Sequence, residues 1–237
     1  MEATLSPSPK RIARYAGFSY LFLVITAPLA HIYIPSLILD RANSAITAQN
    51  LLANEFLFRV GTLLNVLGLI AFIFTVLFLY ELLHPVSERL ARLMRTLVLV
   101  GIPVAFILAI LRMSALLLLK SKVYTSFESN QLENIALMLF RIGDYGSYME
   151  QMFWGLWLFP FGMLVYQSGF IPKFLGVWLI ANGVAYVVLS CLFILFPEHL
   201  SQVSNFSFPL IVGELWIMLW LVIKGVRDTT GHNVNKT

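Results

Sequence analysis

The sequence predicts an all-α, polytopic membrane protein with six transmembrane helices. Three observations carry this expectation. Of 237 residues, 59% are hydrophobic and only 12% charged, where a soluble domain carries about 25% charged residues. So little polar surface cannot shield that much apolar side chain from water, so lipid must be the solvent for much of the chain. The apolar residues also form continuous Leu-rich runs, not the alternating segments of a barrel. Finally, the basic residues concentrate on alternate links between those runs.

A helix needs about 20 apolar residues to cross roughly 30 Å of hydrocarbon. Six stretches qualify: Tyr15 to Ile34, Val60 to Leu83, Leu97 to Leu119, Tyr148 to Tyr166, Phe174 to Phe196 and Phe208 to Ile223. The first follows Lys10, Arg11 and Arg14, yet it is too long for a signal-peptide core, and Pro28-Leu29-Ala30 is a poor cleavage site. It reads as a retained helix. Pro28, Pro103 and Pro160 lie inside spans, where each removes a backbone donor and favours a kink.

With the N-terminus inside, the inner segments hold Lys10, Arg11, Arg14, Arg89, Arg92, Arg95, Lys173, Lys224, Arg227 and Lys236, against Arg41, Lys120 and Lys122 outside. That bias places both termini in the cytoplasm under the positive-inside rule. Residues 1–227 form one transmembrane domain, and 228–237 a flexible tail. The inner links are short, so the second and third helices, and the fourth and fifth, should be antiparallel neighbours. Between Gln131 and Phe140, Leu132, Ile135, Ala136 and Leu139 recur at helical spacing. Short amphipathic helices on the outer face are therefore expected.

Ser44 to Gly61 aligns without gaps on Ser126 to Gly143, with Phe58-Arg59-Val60-Gly61 matching Phe140-Arg141-Ile142-Gly143. A fainter third copy begins at Leu210-Ile211-Val212-Gly213 and lacks the arginine. The pattern suggests repeated helical hairpins inserted in one sense, with chance similarity in Leu- and Phe-rich sequence as the alternative.

Ionisable groups inside a membrane are costly; they pair or face a watery cavity. Arg59, Arg112, Arg141, Asp144, Glu150 and Glu214 all fall near the outer side, with Arg59 opening the second helix, Arg141 and Asp144 at the entry to the fourth, and the other three within spans. With Asn65 and Tyr148, they are the candidate ligand-binding residues, and His31, Tyr145, Gln151 and Asn182 are further wall candidates. Arginine suits a carboxylate or phosphate because its planar fork gives two parallel charged hydrogen bonds. The competing expectation is that these charges pair with one another and hold the helices together. The Gly143 and Gly146 pair is expected to break the helix between them.

No phosphate-binding glycine loop, His-Glu-x-x-His or Gly-x-Ser-x-Gly occurs. His31, His84, His199 and His232 are dispersed, which argues against a bis-histidine haem, and the single Cys191 excludes a disulfide framework. No cofactor, metal or nucleic acid is expected. Membrane lipids and a small ligand are the anticipated partners. Asn205-Phe206-Ser207 fits a glycosylation sequon.

The chain resembles a bacterial family of six-helix membrane proteins catalogued as domain-of-unknown-function family 4386. The residues that carry the resemblance are Phe58 to Gly61, Tyr80-Glu81-Leu82-Leu83-His84-Pro85-Val86, Gln167 to Val177, and Gly213-Glu214-Leu215-Trp216 leading to Gly225. Ser168-Gly169-Phe170-Ile171-Pro172-Lys173-Phe174-Leu175-Gly176 is the most specific block. Gln167 stands where the family often has arginine. The resemblance implies a bacterial inner-membrane location and carries no activity with it.

Three functions remain open. The first is binding or transport of a small anionic or zwitterionic ligand, or a lipid headgroup, in an outward polar pocket. The second is a structural or regulatory membrane subunit. The third is an intramembrane enzyme using Glu150 or Glu214 as general base, helped by His31 or His199.

Overall fold

A computed structural model describes residues 8–40, 42–121, 126–199 and 214–226. Among them the regular structure is helical throughout: α1 (Pro9–Pro28), a π-helical stretch (Leu29–Tyr33), α2 (Ile34–Ile38), α3 (Ser44–Ala53), α4 (Glu55–Leu83), α5 (Glu88–Lys120), α6 (Ser129–Leu156), α7 (Leu158–Ser168), α8 (Lys173–Leu195), a short 3₁₀ turn (Pro197–His199) and α9 (Glu214–Ile223). Four helices are long and apolar enough to cross a membrane: Pro9–Ile38, Glu55–Leu83, Glu88–Lys120 and Lys173–Leu195. Their lipid-suited faces are bare. Ile32 is 69% exposed, Phe174 65% and Ile110 62%, far more contiguous apolar surface than water tolerates.

The other two expected spans differ from expectation in instructive ways. The fourth, Tyr148 to Tyr166, is divided between α6 and α7, with the break at Trp157. Pro160 has no N–H to offer the carbonyl of Leu156, so the ladder is interrupted one turn before the proline. Trp157 keeps helical dihedrals (φ −69°, ψ −25°), so the chain kinks and continues. Its indole is 2% exposed; it stacks on Phe161 and meets Phe72 and Tyr20 edge-on. Of the sixth, only Glu214–Ile223 is described; Phe208 to Gly213 lie outside the described residues, as do Arg41, Lys122, Asn205 to Ser207, Arg227 and the tail.

Pro28 acts in the same way on the first helix. The helical path continues through it, but the next five residues widen into the π-helical stretch, a local adjustment common at functional sites. Pro103 lies within α5 without interrupting it.

Of the two short helices expected at the loops, α3 is separate, capped by Asn43, whose side chain accepts from the backbone N–H of Ala45 and Ile46. Gln131 to Phe140 is not a separate helix. It forms the opening turns of α6, which starts at a reciprocal Glu128/Gln131 capping box. The helix also runs unbroken through Gly143 and Gly146, contrary to expectation. Each of those glycines lies against a side chain of α5, Arg112 and Leu108 respectively, and that packing outweighs glycine's intrinsic cost of about 1 kcal/mol.

α1 packs on α4 and α9, α5 on α4, α6 and α7, and α8 on α6 and α7. The short links thus join antiparallel neighbours, as expected. The closest approach lies between α6/α7 and α8. A Cβ on Gly162 would stand 2.6 Å from the carbonyl oxygen of Gly176, and one on Gly155 2.8 Å from that of Gly183. Both pairs are seven residues apart, so the two backbones touch along one seam, as small residues permit in membrane bundles. The link between them is fixed by its own residues. Gly169 takes φ +74° at the end of α7, the left-handed conformation that favours glycine. Ser168 Oγ donates to the carbonyl of Val165 and accepts from the N–H of Ile171, and Ile171 is buried.

This seam generates a prediction. Gly162→Val pushes two backbones apart and should destabilise the purified protein by about 1–3 kcal/mol, the usual cost of overpacking. Met163→Val, on the exposed face of α7, should change little. Thermal unfolding in one detergent compares the two; equal melting temperatures would refute the seam.

Candidate functional site

The six charged candidates do not form one cluster. They fall into separate groups along the bundle, each with its own partners.

Arg59 lies near the start of α4, where its Nε donates to Glu55 Oε1 at 2.8 Å; Lys120 Nζ reaches Glu55 Oε2 at 2.6 Å. The Arg59 side chain is 45% exposed, so this is a surface ion pair of small energetic worth. Arg141 is exposed on α6. Tyr148 stacks on Phe193 at 4.2 Å, serving the packing of α6 on α8. Glu150 is 7% exposed and is directed at the Trp154 side chain.

Arg112 and Asp144 do come together. Arg112 projects from α5 into the opening turns of α6. Its Nη2 donates to Ser147 Oγ at 2.7 Å and to the Gly143 carbonyl at 3.0 Å, and stands 3.5 Å from Asp144 Oδ1. The two charged side chains are only 17% and 27% exposed. Gly143 makes this possible: a Cβ there would meet Arg112 Cγ at 3.0 Å and Nε at 3.1 Å. The glycine of Phe140-Arg141-Ile142-Gly143 thus seats an arginine from another helix. Its counterpart Gly61 lies against Ile34, while Phe58 and Phe140 of the two matching motifs pack edge to face at 5.6 Å.

Arg112, Asp144, Asn65 and His31 line one cleft between the π-helical stretch, α2, α4, α5 and α6, toward the end where α4 begins and α5 ends. His31 sits on the π-helical stretch, and its Nε2 is 3.0 Å from Asn65 Oδ1. Ile34, Phe58, Ala109 and Phe140 supply apolar wall. The cavity volume is about 40 Å³, room for about three waters or one carboxylate-sized group. The hydrogen bonds of Arg112 to Ser147 and Gly143, and its approach to Asp144, all run through Nη2. Such a site can present a fork of donors and a neighbouring carboxylate to a small dipolar group.

Glu214 belongs to neither group. Its carboxyl accepts from the Tyr20 hydroxyl and, at 3.1 Å, from Asn182 Nδ2; the Tyr186 hydroxyl is directed at the same carboxyl. Tyr20 lies about 16 Å from the Pro9 end of its helix at 1.5 Å per residue, in a 30-residue run. Glu214 is therefore nearer mid-bundle than the outer-half position expected of it.

Sequence reasoning missed Tyr20, Tyr186 and Ser147. Both tyrosines sit in apolar runs, and helical spacing alone does not say which helix a face will meet. Ser147 carried a signal: it lies four residues after Gly143 on the same face.

The cleft group yields a prediction. Arg112→Met should destabilise the protein by about 1–3 kcal/mol, because it removes the bonds to Ser147 and Gly143 and takes a cation from beside the partly buried Asp144. Adding Asp144→Asn should recover part of that loss. Purely additive melting shifts in the double variant would mean that the two side chains do not interact.

Comparison with curated proteins gives no match, and neither does comparison with solved structures. One family model matches, described as a domain of unknown function, DUF4386, over residues 15–225. That is nearly the whole of the described bundle, so the chain belongs to the DUF4386 family, whose function is unknown.

Proposed function

We propose that the protein is a six-span bacterial inner-membrane protein that binds, and by extension transports, a small zwitterionic or anionic ligand in the Arg112 cleft. One observation carries the reading. Arg112 is an arginine held in an apolar bundle by hydrogen bonds through its Nη2, on the wall of a cleft. A guanidinium fixed by its Nη2 edge leaves its other edge for a carboxylate or phosphate oxygen. Asp144, 3.5 Å from Nη2, suits the ammonium of the same ligand, which favours a zwitterion over a simple anion. Free amino acids and amine-bearing lipid headgroups share that chemistry.

Native mass spectrometry of protein extracted from its own membrane tests the idea. A co-purifying zwitterion should bind about tenfold more weakly to Arg112→Lys, since a lysine offers a point charge in place of a fork. Recovery of the same ligand at equal occupancy from wild type and Arg112→Lys would sink the proposal. A structural or regulatory subunit remains the second reading, favoured by the Arg112–Ser147–Gly143 bonds, which would tie α5 to α6 with or without a ligand.

The same reading sets a topology. The fourth span is the kinked α6–α7 pair and the sixth ends in α9. The basic residues Lys10, Arg11, Arg14, Arg89, Arg92, Arg95, Lys173 and Lys224 lie at helix ends or links that alternation puts on one side, which supports a cytoplasmic location for both termini. The motif shared by Ser44–Gly61 and Ser126–Gly143 is read as a repeat whose two copies meet at Phe58 and Phe140. In a Cys191→Ser background, a membrane-impermeant thiol reagent added to intact cells should label Ser129→Cys and spare His84→Cys and Gln167→Cys. Labelling of all three from outside would refute the topology.

A further inference from the structure

We infer that Glu214 is an intramembrane proton-exchange site, its carboxyl alternating between acid and carboxylate while Tyr20, Asn182 and Tyr186 rearrange to bond either form. The inference is independent of the Arg112 cleft and uses none of its residues.

Glu214 opens α9, which packs against α1 and α8. The groups facing the carboxyl come from those two helices. Tyr20 is on α1, and Asn182 and Tyr186 are on α8. None of them carries positive charge. A carboxylate without a cation partner inside a bilayer is expensive, and three neutral donors offset only part of that cost. The carboxylic acid is thus an accessible alternative state. Yet the site is not built for the acid alone, because all three neighbours are hydrogen-bond donors aimed at the carboxyl oxygens.

Asn182 supplies the second observation. It is fully buried, at 0% exposure. Its Nδ2 donates to Glu214 Oε1, while its Oδ1 has no hydrogen-bond partner among the described residues. An unsatisfied buried carbonyl oxygen is costly. Turning the amide about its Cβ–Cγ bond swaps the two atoms. Oδ1 then accepts from a protonated Glu214, and Nδ2 takes the place Oδ1 held, so the amide can face either form of the carboxyl. The tyrosine hydroxyls have the same capacity, each able to donate to a carboxylate or accept from an acid.

The step is a simple dissociation. The carboxyl O–H bond breaks, its electron pair stays on the Glu214 oxygen, and the proton leaves to a water molecule. The amide and hydroxyls then return to donating. Glu214 stands at the first turn of α9 and is only partly buried as a residue; the exchange requires a water to reach its carboxyl from that turn.

Infrared difference spectroscopy on the full chain in lipid nanodiscs, titrated from acid to alkaline pH, tests this. A carboxylic-acid carbonyl band should be present in acid, lost on raising pH, missing from Glu214→Gln and retained in Glu150→Gln. Tyr20→Phe removes a donor to the ionised form and should move the midpoint toward alkaline pH by about one unit. A band that never responds to pH, or one that persists unchanged in Glu214→Gln, overturns the inference. If Glu214→Gln does not fold, the Tyr20→Phe titration decides: an unmoved midpoint counts against exchange at Glu214.

Discussion

The constraint on which the rest of this structure depends is that polar groups inside an apolar bundle must find partners within it. Where water does not reach them, each one left over costs free energy comparable to a lost hydrogen bond. The bundle meets this constraint in distinct places. Arg112 is met by a carbonyl, a hydroxyl and a carboxylate of α6. His31 is met by Asn65 across α1 and α4. Glu214 is met by donors from α1 and α8. Each polar contact joins different helices, so satisfying the side chains also fixes which helices are neighbours.

Between those contacts the bundle is held by shape. Glycines let backbones touch at the α6/α7–α8 seam, and Gly17 brings α1 within 2.8 Å of Val222 on α9, measured from the position a Cβ would take. This gives a physical reading to the family motifs. The Ser168 to Gly176 block makes a turn and then places Gly176 against Gly162. The Tyr80 to Val86 block makes another: Tyr80 donates to Glu88, stacks on His84 and lies under the Arg95 guanidinium at 4.1 Å. Both blocks serve folding. Glu214 and the two Phe-Arg-x-Gly motifs are the family-like segments that reach polar sites.

Much of this was legible in the sequence, and the parts that were not share a cause. The helical class, the antiparallel links and the α8 boundaries follow from apolar run length, which is a local property. The approach of Asp144 to Arg112 was also within reach, since both are charges at compatible depth. What the sequence did not give was helix rotation. Arg59 turned toward Glu55 and away from the cleft, Tyr148 toward Phe193, and Glu214 toward Tyr20. Those choices depend on which helices touch, and the glycines that decide it read individually as breaks or flexibility. Gly143 and Gly146 show the error plainly. Taken alone they argue for a helix end; packed against Arg112 and Leu108, they are the reason α5 and α6 lie so close.

The cleft and the Glu214 site lie at different depths and share one element, α1. Tyr20 and His31 are separated by about 16 Å of helix, with Pro28 between them and His31 itself within the π-helical stretch. On the Pro9 side of that stretch, α1 is clamped by Gly17 on α9 and by Tyr20 on Glu214. Within the stretch His31 bonds Asn65, and just beyond it Ile34 presses on Gly61. The π-helical stretch thus carries one anchor itself and follows directly on the proline that separates it from the other. Under the proposed roles, α1 and this stretch are the continuous element that would couple a ligand at Arg112 to a proton at Glu214.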